Sequence, residues 1–241
     1  DNRRSRGLGD VYKRQRQESS RHSQLIGEFV KKKYNKDYVK LSEKEKIDFL
    51  KSKLNSKKNI INKFQFKNKE NKEVWSTFNL LSNEPSECLG AYVISMTSSA
   101  SDILSVSFLQ KEAKIKNKLR VVPLFETLDD LINAKSIMEN LFSHKWYRNL
   151  IKHKQEVMIG YSDSSKDAGK MCASWHQYKA QEEIVKLGNK YKIDITFFHG
   201  RGGSAGRGGG PIQATLRSLP PYSVNGKIRI TDQGEVIQQK Y

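Results

Sequence analysis

The chain has 241 residues, of which 36% are hydrophobic, and this is enough apolar material for one large core or two small ones. Its formal net charge is +18, and residues 1–75 hold 22 Lys and Arg against 10 Asp and Glu. The sequence contains no run of 18 apolar residues, no secretory signal and no paired cysteine motif. These observations argue against a membrane-spanning protein and against a protein held together by disulfides. We therefore expect a cytoplasmic protein without a membrane partner.

Two readings of the basic N-terminal part stay open. Such charge suits a nucleic-acid or anionic membrane surface. The lysines alternate with Asn, Ile and Glu at helical spacing, however, which favours solvated helix faces. Residues 1–15 have no hydrophobic period and resemble translated adapter sequence, so we expect them to be non-native, with a disordered basic arm as the alternative.

Residues 16–90 predict a helical region outside the core. A second helix is signalled by the capping pattern from Ser42 to Glu45. A linker rich in Lys and Asn follows over 55–72, and another helix is predicted over 73–81. The apolar positions that give the first helix its spacing are Leu25, Ile26, Phe29 and Val30.

Residues 91–241 alternate short β-branched or aromatic runs with amphipathic stretches. A strand-helix repeat of about 28 to 38 residues is typical of βα units around a parallel sheet, either in a (β/α) barrel or in a doubly wound sheet. The predicted strands are 91–96, 119–125, 156–160, 194–198 and 227–231, and the predicted helices are 101–114, 127–141 and 169–190.

Polar residues follow three of the predicted strands. Glu126 comes directly after one strand, Asp163 and Lys166 follow the next, and His199 and Arg201 follow a third. The carboxyl ends of all strands in a parallel barrel open on one face, so these residues would converge there. In a doubly wound sheet, only the residues near the switch point would meet.

The two carboxylates in this set predict a metal site. Glu126 and Asp163 would hold Mg²⁺ or Mn²⁺, since these ions take few protein ligands and prefer oxygen. Alternatively, Glu126 only caps the following helix. Lys166 and Arg201 add the positive charge that a substrate with phosphate and carboxylate groups requires. His199 is either a buried histidine with structural partners or a substrate contact.

Residues 198–211 contain seven of the sixteen glycines, placed around Arg201 and Arg207. Glycine permits positive φ and close approach, so successive amides can form an anion-binding nest. An RGG-like segment that contacts RNA is the alternative. Because this stretch directly follows a predicted buried strand, we favour a ligand-binding loop.

At these residues the sequence resembles the phosphoenolpyruvate carboxylase family. Two long segments, 157–169 and 198–211, are similar to its paired signatures and occur in the right order. The resemblance implies a (β/α)8 TIM-type barrel with extensive helical elaboration, incomplete here and dominated by helix. The likeness extends through 92–96, 122–130 and 230–237 and back to 16–22.

The resemblance also implies an activity. The family joins phosphoenolpyruvate and bicarbonate to give oxaloacetate and phosphate, through carboxyphosphate and an enolate, with Mg²⁺ or Mn²⁺ and without biotin. It further implies acidic effectors such as aspartate or malate, acting at the glycine loop, and a homotetrameric parent. Carried over by motif, Glu126 and Asp163 bind the metal, Arg16 and Arg201 hold the substrate phosphate, Lys166 and His199 line the pocket, and Arg207 serves the bicarbonate step.

The chain also departs from the family pattern. Family members are several times longer, and the upstream catalytic histidine motif and the later substrate arginines are missing from these 241 residues. We therefore expect a fragment that by itself has no measurable carboxylase activity, because a barrel without all its strands exposes edges. Two alternatives remain: a basic nucleic-acid-binding protein, which we disfavour, and another metal-dependent phosphoryl-transfer enzyme on the same barrel.

Overall fold

The computed structural model describes residues 16–85, 89–161, 169–200 and 212–230. The chain divides into two compact units, Gln17–Val121 and a second unit made of Asp1–Arg16 with Val122–Tyr241. The strands are β1 (Arg16–Glu18), β2 (Ala91–Ser95), β3 (Arg120–Phe125), β4 (Lys154–Gly160), β5 (Asp194–Gly200) and β6 (Arg229–Ile230). The helices are α1 (Ser19–Tyr34), α2 (Glu43–Asn55), α3 (Lys69–Asn83), α4 (Ala100–Glu112), α5 (Leu128–Ser143), α6 (Lys145–Leu150), α7 (Lys170–Tyr191) and α8 (Ile212–Ser218).

Local capping chemistry fixes where the helices of the Gln17–Val121 unit begin and end. The predicted capping box is confirmed at α2, where Ser42 and Glu45 bond reciprocally. Helix α1 ends at Asn35, whose φ of 52° lies in the left-handed region that asparagine tolerates. Helix α3 begins earlier than predicted, because the side chain of Asn68 accepts hydrogen bonds from the first-turn amides.

The stretch between α2 and α3 is anchored to the unit's core despite its Lys/Asn-rich composition. Ile61 is fully buried. The buried carboxylate of Glu112, at the end of α4, accepts hydrogen bonds from the amides of Ile60 and Ile61 at 2.5 and 2.8 Å. On α1, Glu28 accepts another from the Lys67 amide at 2.6 Å. The predicted linker is therefore shorter than expected, and carboxylates hold it at Ile60 and Ile61 and again at Lys67.

The second unit contains parallel strands that lie side by side in chain order, β3-β4-β5-β6. Helices α5 and α6 separate β3 from β4, α7 separates β4 from β5, and α8 separates β5 from β6. The longest pairing joins β4 to β5 from Lys154↔Asp194 to Gly160↔Gly200 without interruption. This arrangement confirms the predicted α/β class and its richness in helix.

Helix α7 packs closely on the sheet of this unit. A Cβ added at Gly188 would lie 2.6 Å from a side-chain carbon of Ile195, so the helix backbone approaches β5 at that point. The same helix carries a buried face that includes Gln177 and Ile184. Within the described part of the chain, no helix is long and apolar enough to cross a bilayer.

Candidate functional site

The carboxyl ends of β3, β4 and β5 lie next to one another. The register pairs Phe125 with Ile159 on β4, and it pairs Gly160 at the end of β4 with Gly200 at the end of β5. The residue after Phe125, Glu126, therefore comes level with Gly160. Three strand ends that the sequence separates by about 75 residues thus meet at one edge, as predicted for a parallel sheet.

Glu126 is buried at this edge, with a residue exposure of 7%. The helix that follows it is capped by two other residues. Thr127 is the N-cap of α5, its hydroxyl accepts from the Asp130 amide, and the Asp130 carboxylate accepts from the amides of Thr127 and Glu126. The α5 cap is therefore complete without the Glu126 carboxylate.

Gly160 leaves the space in which Glu126 sits. A Cβ at Gly160 would lie 2.6 Å from the Glu126 Cβ and 3.0 Å from its Cα, distances that side chains do not tolerate. At Gly200 the restriction is weaker, because a Cβ there would meet the end of the flexible Met158 side chain at 2.8 Å and the Ile159 carbonyl oxygen at 3.3 Å. Gly160 is thus needed for close approach rather than for an unusual φ.

A side chain from α7 holds the last carbonyl of β4. The Gln177 amide donates to the Gly160 carbonyl oxygen at 3.1 Å, and Gln177 is only 5% exposed. One turn later, the Gln181 amide donates to the Gln177 carbonyl at 2.9 Å. The end of β4 is thus fixed by a buried hydrogen bond as well as by the sheet. This contact was not predictable from the sequence, because glutamine is common on amphipathic helices and nothing in its spacing marks it as a strand contact.

His199 is fully buried near the end of β5. Its Nδ1 lies 2.8 Å from the Tyr161 hydroxyl, and the two rings are 6.0 Å apart. His199 shares a sheet face with Phe197, whereas Glu126 and Gly160 share the opposite face according to the register. The structure therefore brings His199 and Glu126 to the same edge but not to the same face.

An ion pair between a buried carboxylate and a partly exposed guanidinium lies on the Glu126 face, further from the strand ends. Arg229 on β6 donates to the Glu156 carboxylate on β4 at 2.5 Å, and the Glu156 side chain is 5% exposed. The guanidinium also lies 4.7 Å from the centre of the Phe198 ring, on the strand between them. Neither residue was predicted to pair, although a charged residue inside each of two apolar predicted strands was the available signal.

The other predicted site residues lie beyond the described part of the chain. The structure describes neither Asp163 and Lys166 after β4 nor Arg201 and Arg207 after β5. Arg16 begins β1, and its side chain is not described either. Among the described residues, no three His, Cys, Asp or Glu side chains form a group that could hold a metal. The Glu126 carboxylate, which is buried beside Gly160, offers the oxygen ligands that a hard divalent cation prefers.

The fold and the residues at the strand ends together define an α/β protein with a buried carboxylate at the carboxyl edge of a parallel sheet. The family model for phosphoenolpyruvate carboxylase matches residues 14–241, so the chain belongs to that family. It is 49% identical over 227 residues to phosphoenolpyruvate carboxylase 3 of Arabidopsis thaliana, a match covering 94% of this chain and 24% of the relative. Identity is 48% over 226 residues with the phosphoenolpyruvate carboxylase of Flaveria pringlei (94% and 23% covered) and 45% over 235 residues with that of Nicotiana tabacum (98% and 24%).

The chain therefore spans about a quarter of the length of the curated relatives it matches. The resemblance inferred from the two signatures is confirmed at the level of the family.

Proposed function

We propose that this chain supplies part of the active site of a phosphoenolpyruvate carboxylase, which joins phosphoenolpyruvate to bicarbonate and releases oxaloacetate and phosphate. The observation that carries the proposal is the buried Glu126 carboxylate beside Gly160, at the edge where three parallel strands end. The relatives named phosphoenolpyruvate carboxylase match the chain over 94–98% of its length, which supports the same assignment. The metabolic role would be the replenishing of oxaloacetate.

We further propose that β3 to β6 belong to a (β/α)8 barrel. Four parallel strands in chain order, joined by helical connections, are what a segment of such a barrel contains. Active sites of these barrels lie at the carboxyl ends of the strands, which is where Glu126 lies. A doubly wound sheet would instead reverse its strand order at a switch point.

Glu126, with Asp163, would hold Mg²⁺ or Mn²⁺, and no biotin would be needed. A divalent cation held there would supply electrostatic stabilisation for the negative charge that develops during carboxylation. Burial of the Glu126 carboxylate strengthens its attraction for a cation, because water screens the interaction less.

The remaining roles follow the family motif. Arg16 and Arg201 would bind the substrate phosphate through paired N–H donors, and Lys166 would add a point charge to the same pocket. Arg207 would orient bicarbonate and exclude water, and an acidic effector such as aspartate or malate would act by drawing Arg207 away.

His199 donates to or accepts from the Tyr161 hydroxyl. The contribution of His199 would therefore include fixing the chain that leaves β4. The whole enzyme would be a cytoplasmic homotetramer.

The test is an exchange of segments. Residues 16–241 replace the matching part of the Arabidopsis relative, and phosphoenolpyruvate-dependent oxaloacetate formation is measured. We expect activity, and a loss of about 10²-fold or more in kcat on Glu126→Gln, because a metal ligand acts on the charged transition state. Glu112→Gln serves as the matched control, since Glu112 is a buried carboxylate remote in sequence from the strand ends, whose partners are the Ile60 and Ile61 amides and the neighbouring Lys111.

A hybrid that assembles to the size of its parent yet makes no oxaloacetate would refute the proposal. Manganese binding to the 241-residue chain, followed by electron paramagnetic resonance, gives an independent readout: Glu126→Gln should weaken it and Glu112→Gln should not. Assaying the chain alone tests the sequence-based prediction that it is inactive.

A further inference from the structure

The structure constrains Gly160 in two ways, although glycine itself offers the least backbone restraint of any residue. On one side, the backbone and Cβ of Glu126 lie so close that a methyl group at Gly160 would overlap them. On the other, Gln177 bonds the Gly160 carbonyl at 3.1 Å from α7. Rotation of the peptide after Gly160 would break the hydrogen bond from Gln177 and change the close approach of Gly160 to Glu126.

The Gln177 bond is well placed to act as a restraint. Gln177 is buried, so its amide meets little competition from water for the Gly160 carbonyl. It projects from a 22-residue helix whose far end is seated on β5 at Gly188. A buried donor on a docked helix therefore sets the direction in which the Gly160 carbonyl points.

We infer that Gln177 and Gly160 are positioning residues for the Glu126 carboxylate. Gly160 admits Glu126 to the edge of the sheet, and Gln177 keeps the Gly160 peptide in the orientation that leaves this space. This inference rests on the proposed role of Glu126 as a metal ligand. It extends that role by assigning a function to a helix that contributes no predicted site residue.

Groups that orient metal ligands typically change metal affinity by 10- to 100-fold when they are removed. Gln177→Met keeps the length and apolar stem of the side chain but removes the donor, so we expect manganese affinity to fall by roughly 10-fold. Gly160→Ala forces Glu126 to move, and we expect a loss nearer the upper end, about 100-fold.

The experiment uses the 241-residue chain and two readouts. Manganese affinity is measured by electron paramagnetic resonance, and the Glu126 carboxylate is followed at fixed pH by its ¹³C chemical shift. Its signal is identified as the one missing in Glu126→Gln. Gln181→Met is the matched control, because Gln181 lies one turn away, is equally buried and donates only within the helix.

We expect Gln177→Met and Gly160→Ala to shift the Glu126 signal and weaken manganese binding, with Gln181→Met within twofold of the unaltered chain. If Gly160→Ala does not fold, Gln177→Met decides. The inference is overturned if Gln177→Met leaves both the Glu126 signal and the manganese affinity unchanged while Glu126→Gln abolishes manganese binding. If Glu126→Gln binds manganese normally, the proposed metal role of Glu126 is wrong. The positioning role of Gln177 is then tested only by whether Gln177→Met changes the ¹³C chemical shift of the Glu126 carboxylate.

Discussion

His22 should make the stability of the Gln17–Val121 unit depend on pH. It is fully buried on α1, and its Nε2 lies 2.8 Å from the Tyr92 hydroxyl. That hydroxyl donates to the Gln17 side chain, so Nε2 carries the proton and donates to the tyrosine oxygen. The other ring nitrogen, Nδ1, is buried and has no hydrogen-bond partner among the described residues. A second proton on the ring would thus be buried without an acceptor.

Burial, and secondarily the positive charge of Arg21, lowers the pKa of His22 from 6.5 to about 3. The folded unit therefore keeps His22 neutral at pH values where the unfolded chain takes up a proton. Stability is present above about pH 6.5 and is lost as the pH falls, at about 1.4 kcal/mol per pH unit, until the pH approaches 3. Between pH 6.5 and 4.5 the loss from this one residue amounts to about 2 kcal/mol.

The assay is urea unfolding at pH 6.5, 5.5 and 4.5, followed by the fluorescence of Trp75, with Trp146 and Trp175 replaced by Phe. His22→Gln removes the titrating ring, so the difference in unfolding free energy between the unaltered chain and the variant should shrink by about 2 kcal/mol over this range.

Gln110→Met is the control, because it removes buried hydrogen bonds that do not titrate and should shift all three values equally. Parallel stability curves for the unaltered chain and His22→Gln would refute the reasoning.

Two further substitutions probe packing. Glu112→Ala removes the acceptor of one buried and one partly buried backbone amide and should lower the unfolding free energy by about 3 kcal/mol, with faster hydrogen exchange at Ile60 and Ile61; unchanged exchange there would contradict the anchoring role. Gly188→Ala should cost about 1–3 kcal/mol in urea unfolding, because the added methyl group meets Ile195 and a backbone carbonyl at 3.0 Å; a neutral result would mean that α7 shifts on the sheet at no cost.

The order of strands and helices beyond residue 90 was largely predictable, because β-branched runs and capping residues are local signals. Thr127 and Asp130 show this well, since their sequence spacing is that of the capping box that forms. Helix α3 begins four residues before the predicted start, because the sequence does not distinguish its N-cap, Asn68, from the neighbouring Lys and Asn residues. The short helices α6 and α8 were missed, since about six residues do not establish a period.

The candidate site was predictable only in part. A polar residue after an apolar strand is visible in sequence, so Glu126 could be singled out before its burial was known. The supporting contacts could not be foreseen, because Gln177 and Gly160 meet only through the packing of α7 against β4. The sheet face on which His199 lies could be assigned only from the register of β4 and β5. The division at residue 90 and the roles of the residues after β4 and β5 stay predictions.

The ion pair between Glu156 and Arg229 has a consequence for the field at the strand ends. Two opposite charges held together on the face that leads to Glu126 largely cancel at a distance, so this pair adds little to the potential at the strand ends. Since Glu156 precedes Gly160 by four residues, about 13 Å of strand separates the pair from the edge. An anionic ligand at this edge would therefore meet the Glu126 carboxylate with little influence from this pair, and removing both of its charges together should change the binding of such a ligand little.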